Sequence, residues 1–206
     1  MWLRDSAAQV EPYLRFAVDD PQIHRMLAGV VRRHAAQIAI DPYANAFNES
    51  ASGARVHEDR PVQGPWVWER KYELDSLCYP IRLAHRLWEL TASVEHLDDA
   101  VHRMLASIVS VMRTKQRHEA SSPYRFERSG DHLPPTETLV RDGRGAQCAE
   151  TGMVWSGFRP SDDACTYGYL VPANMFAAVS LHQLGRIARQ VFRDDALATE
   201  GGGLGR

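Results

Sequence analysis

The side chains able to do chemistry gather in three short clusters. The first is Trp2-Leu3-Arg4-Asp5-Ser6. An indole face can stack on a pyranose ring while a guanidinium fork and carboxylate oxygens bond vicinal hydroxyls. The same residues also fit a plainer role, with Asp5 or Ser6 capping a helix and Arg4 in a surface ion pair. The second cluster, Trp66 to Pro80, sets Trp68, Glu69, Arg70, Lys71, Tyr72, Glu73 and Asp75 just ahead of a helical pattern. Such a mixture rarely serves only packing, although Glu73 and Asp75 also suit the first turn of a helix and Glu69 to Glu73 could be solvated. The third, Thr151 to Cys165, has glycines and a proline that fix a loop, with Trp155 inside it and Arg159, Asp162 and Asp163 at its end. Here Ser161 or Asp162 as a helix cap is the alternative.

The elements that must position these clusters are helices. Apolar residues recur at helical spacing over long segments, and strand-like alternation is scarce. Asp20-Pro21 reads as a cap and first turn for a helix running to about Ile40, with Ile23, Met26, Leu27, Val30, Val31 and Ile38 on one side. A second helix covers Leu74 to Thr91, where Pro80 must bend it or mark its first turn. A third opens at Asp98 or Asp99 and runs to about Lys115, a fourth spans about Pro172 to Phe192, and a shorter one lies around Ser6 to Phe16. Between them, residues 41–65 and 121–148 form long loops rich in glycine, proline, asparagine and charge, and loops of that length tend to be functional or disordered. Asp41 to Asn48 lies in the first of these and reads as a turn and cap. Helices alternating with elaborate loops suit helical hairpins set in a ring, with the loops of one face building a site.

Composition narrows the partners. The 206 residues are 44% hydrophobic and 24% charged, the make-up of an ordinary globular domain. A net charge of −2 offers no field for phosphate backbones or anionic lipid, so neither nucleic acid nor membrane is expected as a partner. Three scattered cysteines read as free thiols. The nine histidines form no HxxxH or HExxH arrangement, so no metal is implied, and nothing calls for a cofactor. Gly143 and Gly145 in RDGRG follow no strand and read as a flexible loop rather than a phosphate cradle. No apolar h-region opens the chain, which favours a cytoplasmic protein as it stands; a signal upstream of Met1 would escape this reading. The opening inside a dense cluster and the closing EGGGLGR together read as a truncated or frame-shifted product, with residues 194–206 a non-native or disordered tail.

The segments WLRDSAAQVEPYL, DPYANAFN, WERKYELDSLCYPI and TGMVWSGFRPSDDACTYGYLVPANMFA, spread from Trp2 to about Phe192, resemble glycoside hydrolase family 125, the metal-independent exo-α-1,6-mannosidases. WLRDS also echoes the cluster with which glucoamylase-like (α/α)6 enzymes grip a terminal sugar. The resemblance implies an all-α fold, a partial (α/α)6 barrel over residues 1–193 with about half the helices of a closed ring. It further implies an inverting hydrolase that removes single mannose units from α-1,6-linked chains or N-glycan fragments. Inversion needs an acid and a base on opposite faces of the sugar, roughly 6.5–9.5 Å apart. By the family pattern the acid lies in the Ser161-Asp162-Asp163 stretch; related barrels place it at the first carboxylate of such a pair, which favours Asp162 with Asp163 in reserve. Trp2, Arg4, Asp5, Asn45, Asn48, Trp68, Glu69, Arg70, Tyr72, Asp75, Trp155 and Arg159 are the implied substrate contacts. The family's base is a Glu in the second half of the barrel, and no position here matches its motif. A non-catalytic sugar-binding or inert fragment, or an (α/α)6 relative acting on glucosides, are the rival readings. The oligomeric state is not legible.

Overall fold

A computed structural model of the chain describes residues 1–130 and 132–205; Asp131, in the second long loop, and Arg206, at the end of the expected tail, lie outside the described residues. Eight helices carry the fold among the described residues. Helix α1 (Leu3–Val10) starts three residues before the expected Ser6 and passes into a 3-10 turn at Glu11–Phe16, where Pro12 withdraws a backbone donor. Neither Asp5 nor Ser6 caps it: the capping position is Trp2, and the Ser6 hydroxyl donates instead to the Trp2 carbonyl at 2.6 Å.

Helix α2 (Pro21–Ile40) has the expected start, since the Asp20 carboxylate accepts from the N–H groups of Gln22 and Ile23. Asp98 does the same for α4 (Asp99–Gln116) through Ala100 and Val101. Helix α3 (Leu74–Thr91) holds Pro80 in its interior and stops where Ala92 turns left-handed at φ 56°. Two single turns, α5 (His118–Ser121) and α6 (Val140–Gly143), precede α7 (Val171–Ile187), which widens into a π turn at Ala188–Phe192.

Residues 194–206 depart from the expected disordered tail: Asp195–Leu204 form α8. Asp194 caps the Leu197 N–H at 2.9 Å, and Leu197, Ala198 and Leu204 are buried. Three glycines in a helix cost about 1 kcal/mol each in propensity. One of them packs closely on α7: a Cβ at Gly201 would come within 3.2 Å of the Leu184 side chain, which would have to give by a few tenths of an ångström. Close packing on α7 outweighs weak local preference here.

The two long loops are also more ordered than their composition implies. Strand β1 (Ala46–Phe47) pairs antiparallel with β3 (Val67–Glu69), and β2 (Asp59–Arg60) with β4 (Glu127–Arg128). Trp2 bridges to Ala46, so the first two sequence clusters meet through one small ladder. Helix α3 lies between α1 and α7, α2 packs on α4, and α8 covers α7 and α4. One continuous apolar core results, including Leu27, Ile81, Leu87, Leu105, Ile108 and Leu184, all fully buried.

Leu184 joins α7 to α8 at 0% exposure. Leu184→Ala is expected to cost about 2–5 kcal/mol, seen in urea titration as a lower midpoint with an unchanged slope.

Candidate active site

The site begins at the N-terminus of α3, where the sequence places Glu73 and Asp75 against the positive end of the helix. Both are buried, and burial favours their neutral forms. Arg4, projecting from α1, answers them. Its Nη1 donates to Glu73 Oε2 at 2.7 Å and lies 3.5 Å from Asp75 Oδ2, while its Nη2 is 3.9 Å from Asp162 Oδ1 and its Nε 3.8 Å from Asp5. Four carboxyl groups therefore surround one guanidinium. Burial pushes Asp75 above the usual carboxylate range despite Arg4.

Glu73 is displaced further. Burial, opposed by Arg4 and the Ser76 hydroxyl and assisted by Asp75 and Asp162, pushes its pKa up to about 9. Ser76 and Arg4 both bond Oε2, leaving Oε1 as the oxygen that carries the proton. Glu73 Oε1 and Asp162 Oδ1 are both buried without another partner among the described residues. The Asp162 side chain beside it is the smallest of the influences that raise Glu73.

The loop that brings Asp162 here is bolted to α3. Ser156 Oγ accepts from the Leu74 N–H, one of the helix's open donors, and donates to the Phe158 carbonyl. The Gly157 and Phe158 N–H groups both donate to the Tyr72 carbonyl at 3.1 Å. No helix starts at Ser161 or Asp162; the next begins at Val171, so capping is not their role. Asp162 turns left-handed at φ 65°, which sends the two adjacent aspartates different ways. Asp162 faces Arg4. Asp163 bonds Ser161 Oγ at 2.6 Å and pairs with Arg159 at 3.0 Å, and the Ser161 and Thr136 hydroxyls with Arg159 hold its carboxyl below the usual range.

Beside this cluster opens a cleft of about 440 Å³, lined by Asp75, Tyr79, Arg159, Ser161, Leu170 and Phe176 among others. Tyr79 and Phe176 meet edge to face at 5.0 Å on one wall.

Several residues expected to contact sugar are committed elsewhere. Trp155 is 1% exposed, stacked on His118 at 3.8 Å, and ringed by Gly145, Gly157 and Gly168, at each of which a Cβ would approach the indole to within 3.0 Å or less. Those glycines are needed for packing, and Gly145 belongs to an ordered turn rather than a flexible loop. Tyr72 is buried with Tyr43, Tyr124 and Trp155 around the Lys115 ammonium, 4.4–4.9 Å from the ring centres. Asn45 spends its side chain on Glu69 and the Lys71 N–H, and Asn48 on the Ala54 and Pro65 carbonyls. Glu69 is not solvated; it pairs with Arg128, and Arg70 pairs with Asp41. Trp2 and Trp68 are half-buried and flank the β1–β3 ladder. Of the expected site residues, Asp75 and Arg159 line the cleft, and Arg4, Asp5 and Asp162 gather beside Asp75 around the guanidinium. Tyr79 is not among the expected contacts, nor is Glu73, which the sequence marks only as a member of the second cluster and of a Glu-x-Asp pair opening a helix.

With this geometry in hand, similarity to known proteins becomes informative. The profile of the metal-independent α-mannosidases (GH125) matches residues 1–203. The chain belongs to this family. A Schizosaccharomyces pombe relative, the meiotically up-regulated gene 157 protein, is 33% identical over 211 residues, covering 90% of this chain and 40% of that protein. A solved structure of a Streptococcus pneumoniae metal-independent α-mannosidase, in a non-productive complex with α-1,6-mannobiose, matches with a TM-score of 0.95 at 41% identity over 100% of this chain and 48% of that one. The chain thus spans about half the length of these GH125 relatives or less. Its helices correspond to part of the (α/α)6 barrel of a GH125 α-mannosidase.

The GH125 cluster has a measurable electrostatic cost. Glu73 is neutral when folded up to about pH 9 and ionised when unfolded above its ordinary 4.5, so it stabilises the fold at low pH and that contribution is lost as pH rises through about 9. Glu73→Gln, which cannot ionise, should flatten the decline in stability between pH 5 and 9 by at least about 1 kcal/mol, measured by denaturant titration at both pH values.

Proposed function

We propose that this chain carries the proton-donating side and the terminal-sugar grip of an inverting exo-α-1,6-mannosidase, with Asp162 as the general acid. One observation carries the reading: Asp162 stands at the Arg4 guanidinium with a buried, neutral Glu73, beside a cleft lined by Asp75. Asp162 Oδ1 is buried and its side chain is 40% exposed, so Oδ2 is the oxygen available to a leaving group. Oδ2 gives its proton to the glycosidic oxygen and the acid is left as a carboxylate beside the Arg4 guanidinium, while the neutral Glu73 next to it adds no second negative charge. Asp163, whose carboxyl is held below the usual range by Ser161, Thr136 and Arg159, is unsuited to that task.

Arg4, Asp5 and Asp75 would bind the hydroxyls of the terminal mannose. Asp75 Oδ1 is a buried acceptor with no partner among the described residues, and a sugar hydroxyl is the donor it lacks. The streptococcal relative's complex with α-1,6-mannobiose supports mannoside as the ligand class.

The same geometry argues that the base lies elsewhere. Carboxylates gathered on one guanidinium share one side of a bound sugar, whereas inversion needs the acid and base on opposite faces. The matched streptococcal chain is about twice as long, and a Glu in such a second half is the base that this reading requires. We therefore read these 206 residues as a fragment that binds mannosides but does not turn them over.

Calorimetry with α-1,6-mannobiose should detect binding to this chain, with no mannose released; release by the chain alone would contradict the fragment reading. In a full-length protein, Asp162→Asn should lower turnover at least about 100-fold while Asp163→Asn changes it less than about 10-fold. The reverse order would transfer the acid's role to Asp163.

A further inference from the structure

The acid carboxyl is placed by a backbone conformation that aspartate adopts only at a cost. Asp162 at φ 65° occupies the left-handed region, where a Cβ crowds the following carbonyl. The turn around it closes through Asp162 N–H to the Arg159 carbonyl and Arg159 N–H to the Asp163 carbonyl, both 2.9 Å. Neither bond engages the Asp162 carbonyl. In an ordinary surface turn that oxygen would face water.

Here it meets a buried ammonium instead. The Lys71 side chain is 2% exposed, and its Nζ donates to the Asp162 carbonyl at 2.8 Å and to Glu137 Oε2 at 2.9 Å. Glu69 lies 3.9 Å away and the Phe158 ring centre 5.2 Å. A role limited to neutralising acids does not account for the carbonyl bond, because Arg128 already pairs with Asp59, Glu69 and Glu137. The backbone of Lys71 is itself fixed, its N–H donating to Asn45 Oδ1 at 3.1 Å.

We propose that Lys71 is a positioning residue for the acid: its ammonium holds the Asp162 main-chain carbonyl and so fixes the left-handed turn that aims the Asp162 carboxyl at Arg4 and Glu73. This rests on the reading of Asp162 as the general acid. Lys71 does not touch the sugar. It sets where the proton donor stands.

Lys71→Met removes the carbonyl bond yet leaves Glu69 and Glu137 paired with Arg128, so the fold should survive; Lys71→Met/Glu137→Gln removes a negative charge as well and serves if the single variant does not fold. In the 206-residue chain, amide exchange over residues 159–164 should rise at least about 10-fold in the variant, with residues 154–158 little changed. In turnover by a full-length protein, kcat/KM for α-1,6-mannobiose should fall about 10–100-fold, while an aryl α-mannoside whose leaving group needs little protonation should lose less than about 3-fold. Unchanged exchange, or equal loss on both substrates, would overturn the role of Lys71. If Asp162→Asn fails to discriminate between the two substrates, the acid assignment falls, and the exchange result alone then decides whether Lys71 fixes the turn.

Discussion

The structure of the site depends on one guanidinium. Glu73 and Asp75 are buried at the head of α3, the most enclosed helix in the chain, and without Arg4 their anions would have no buried cation near them. Arg4 gives Asp75 an attractive partner 3.5 Å away, whereas at Glu73 burial outweighs the pull of Arg4 and leaves that carboxyl neutral. A pair of carboxyl groups in different surroundings is how one site holds a donor ready at neutral pH.

Everything around that cluster serves to hold it still. The loop bearing Asp162 hangs from the Tyr72 carbonyl and caps α3 through Ser156, and both connections are backbone or hydroxyl bonds that a small displacement would break. Behind it, Lys115 sits among four aromatic rings, with its hydroxyl partner Ser122 at 2.7 Å, and joins the loops that carry Tyr43, Tyr72, Tyr124 and Trp155. Burial pushes the Lys115 ammonium well below its ordinary pKa while the ring faces favour its charge. The His118 ring stacked on Trp155 is pushed down to about 4, chiefly by burial, and packs there uncharged. These are packing roles for residues whose types alone suggested ligand contact.

The helices could be read from the sequence because their signals are local: a capping aspartate before Pro21, another before α4, and apolar residues at a spacing of three and four. Helix α8 could not, since its three glycines weaken the local preference and its packing on α7 and α4 supplies the reason to fold. The site was legible in part for the same cause. Arg4, Asp75 and Asp162 stood out by type and neighbourhood, and they do converge. Trp155, Tyr72, Asn45 and Asn48 stood out equally and turn inward, because whether a tryptophan faces a cleft or a trio of glycines is decided by contacts far apart in the chain. The neutral state of Glu73, by contrast, comes from burial, and the role of Lys71 comes from a carbonyl ninety-one residues away, which leaves no trace in spacing.

The claim that most needs a direct measurement is that the Arg4 cluster grips the terminal sugar. A crystal structure of this chain soaked with mannose tests it. The account predicts one sugar ring in the cleft, with hydroxyls within hydrogen-bonding distance of Arg4 and Asp75 and the anomeric side facing Asp162. Mannose ordered elsewhere on the surface, with the Arg4 cluster open to solvent alone, would contradict it.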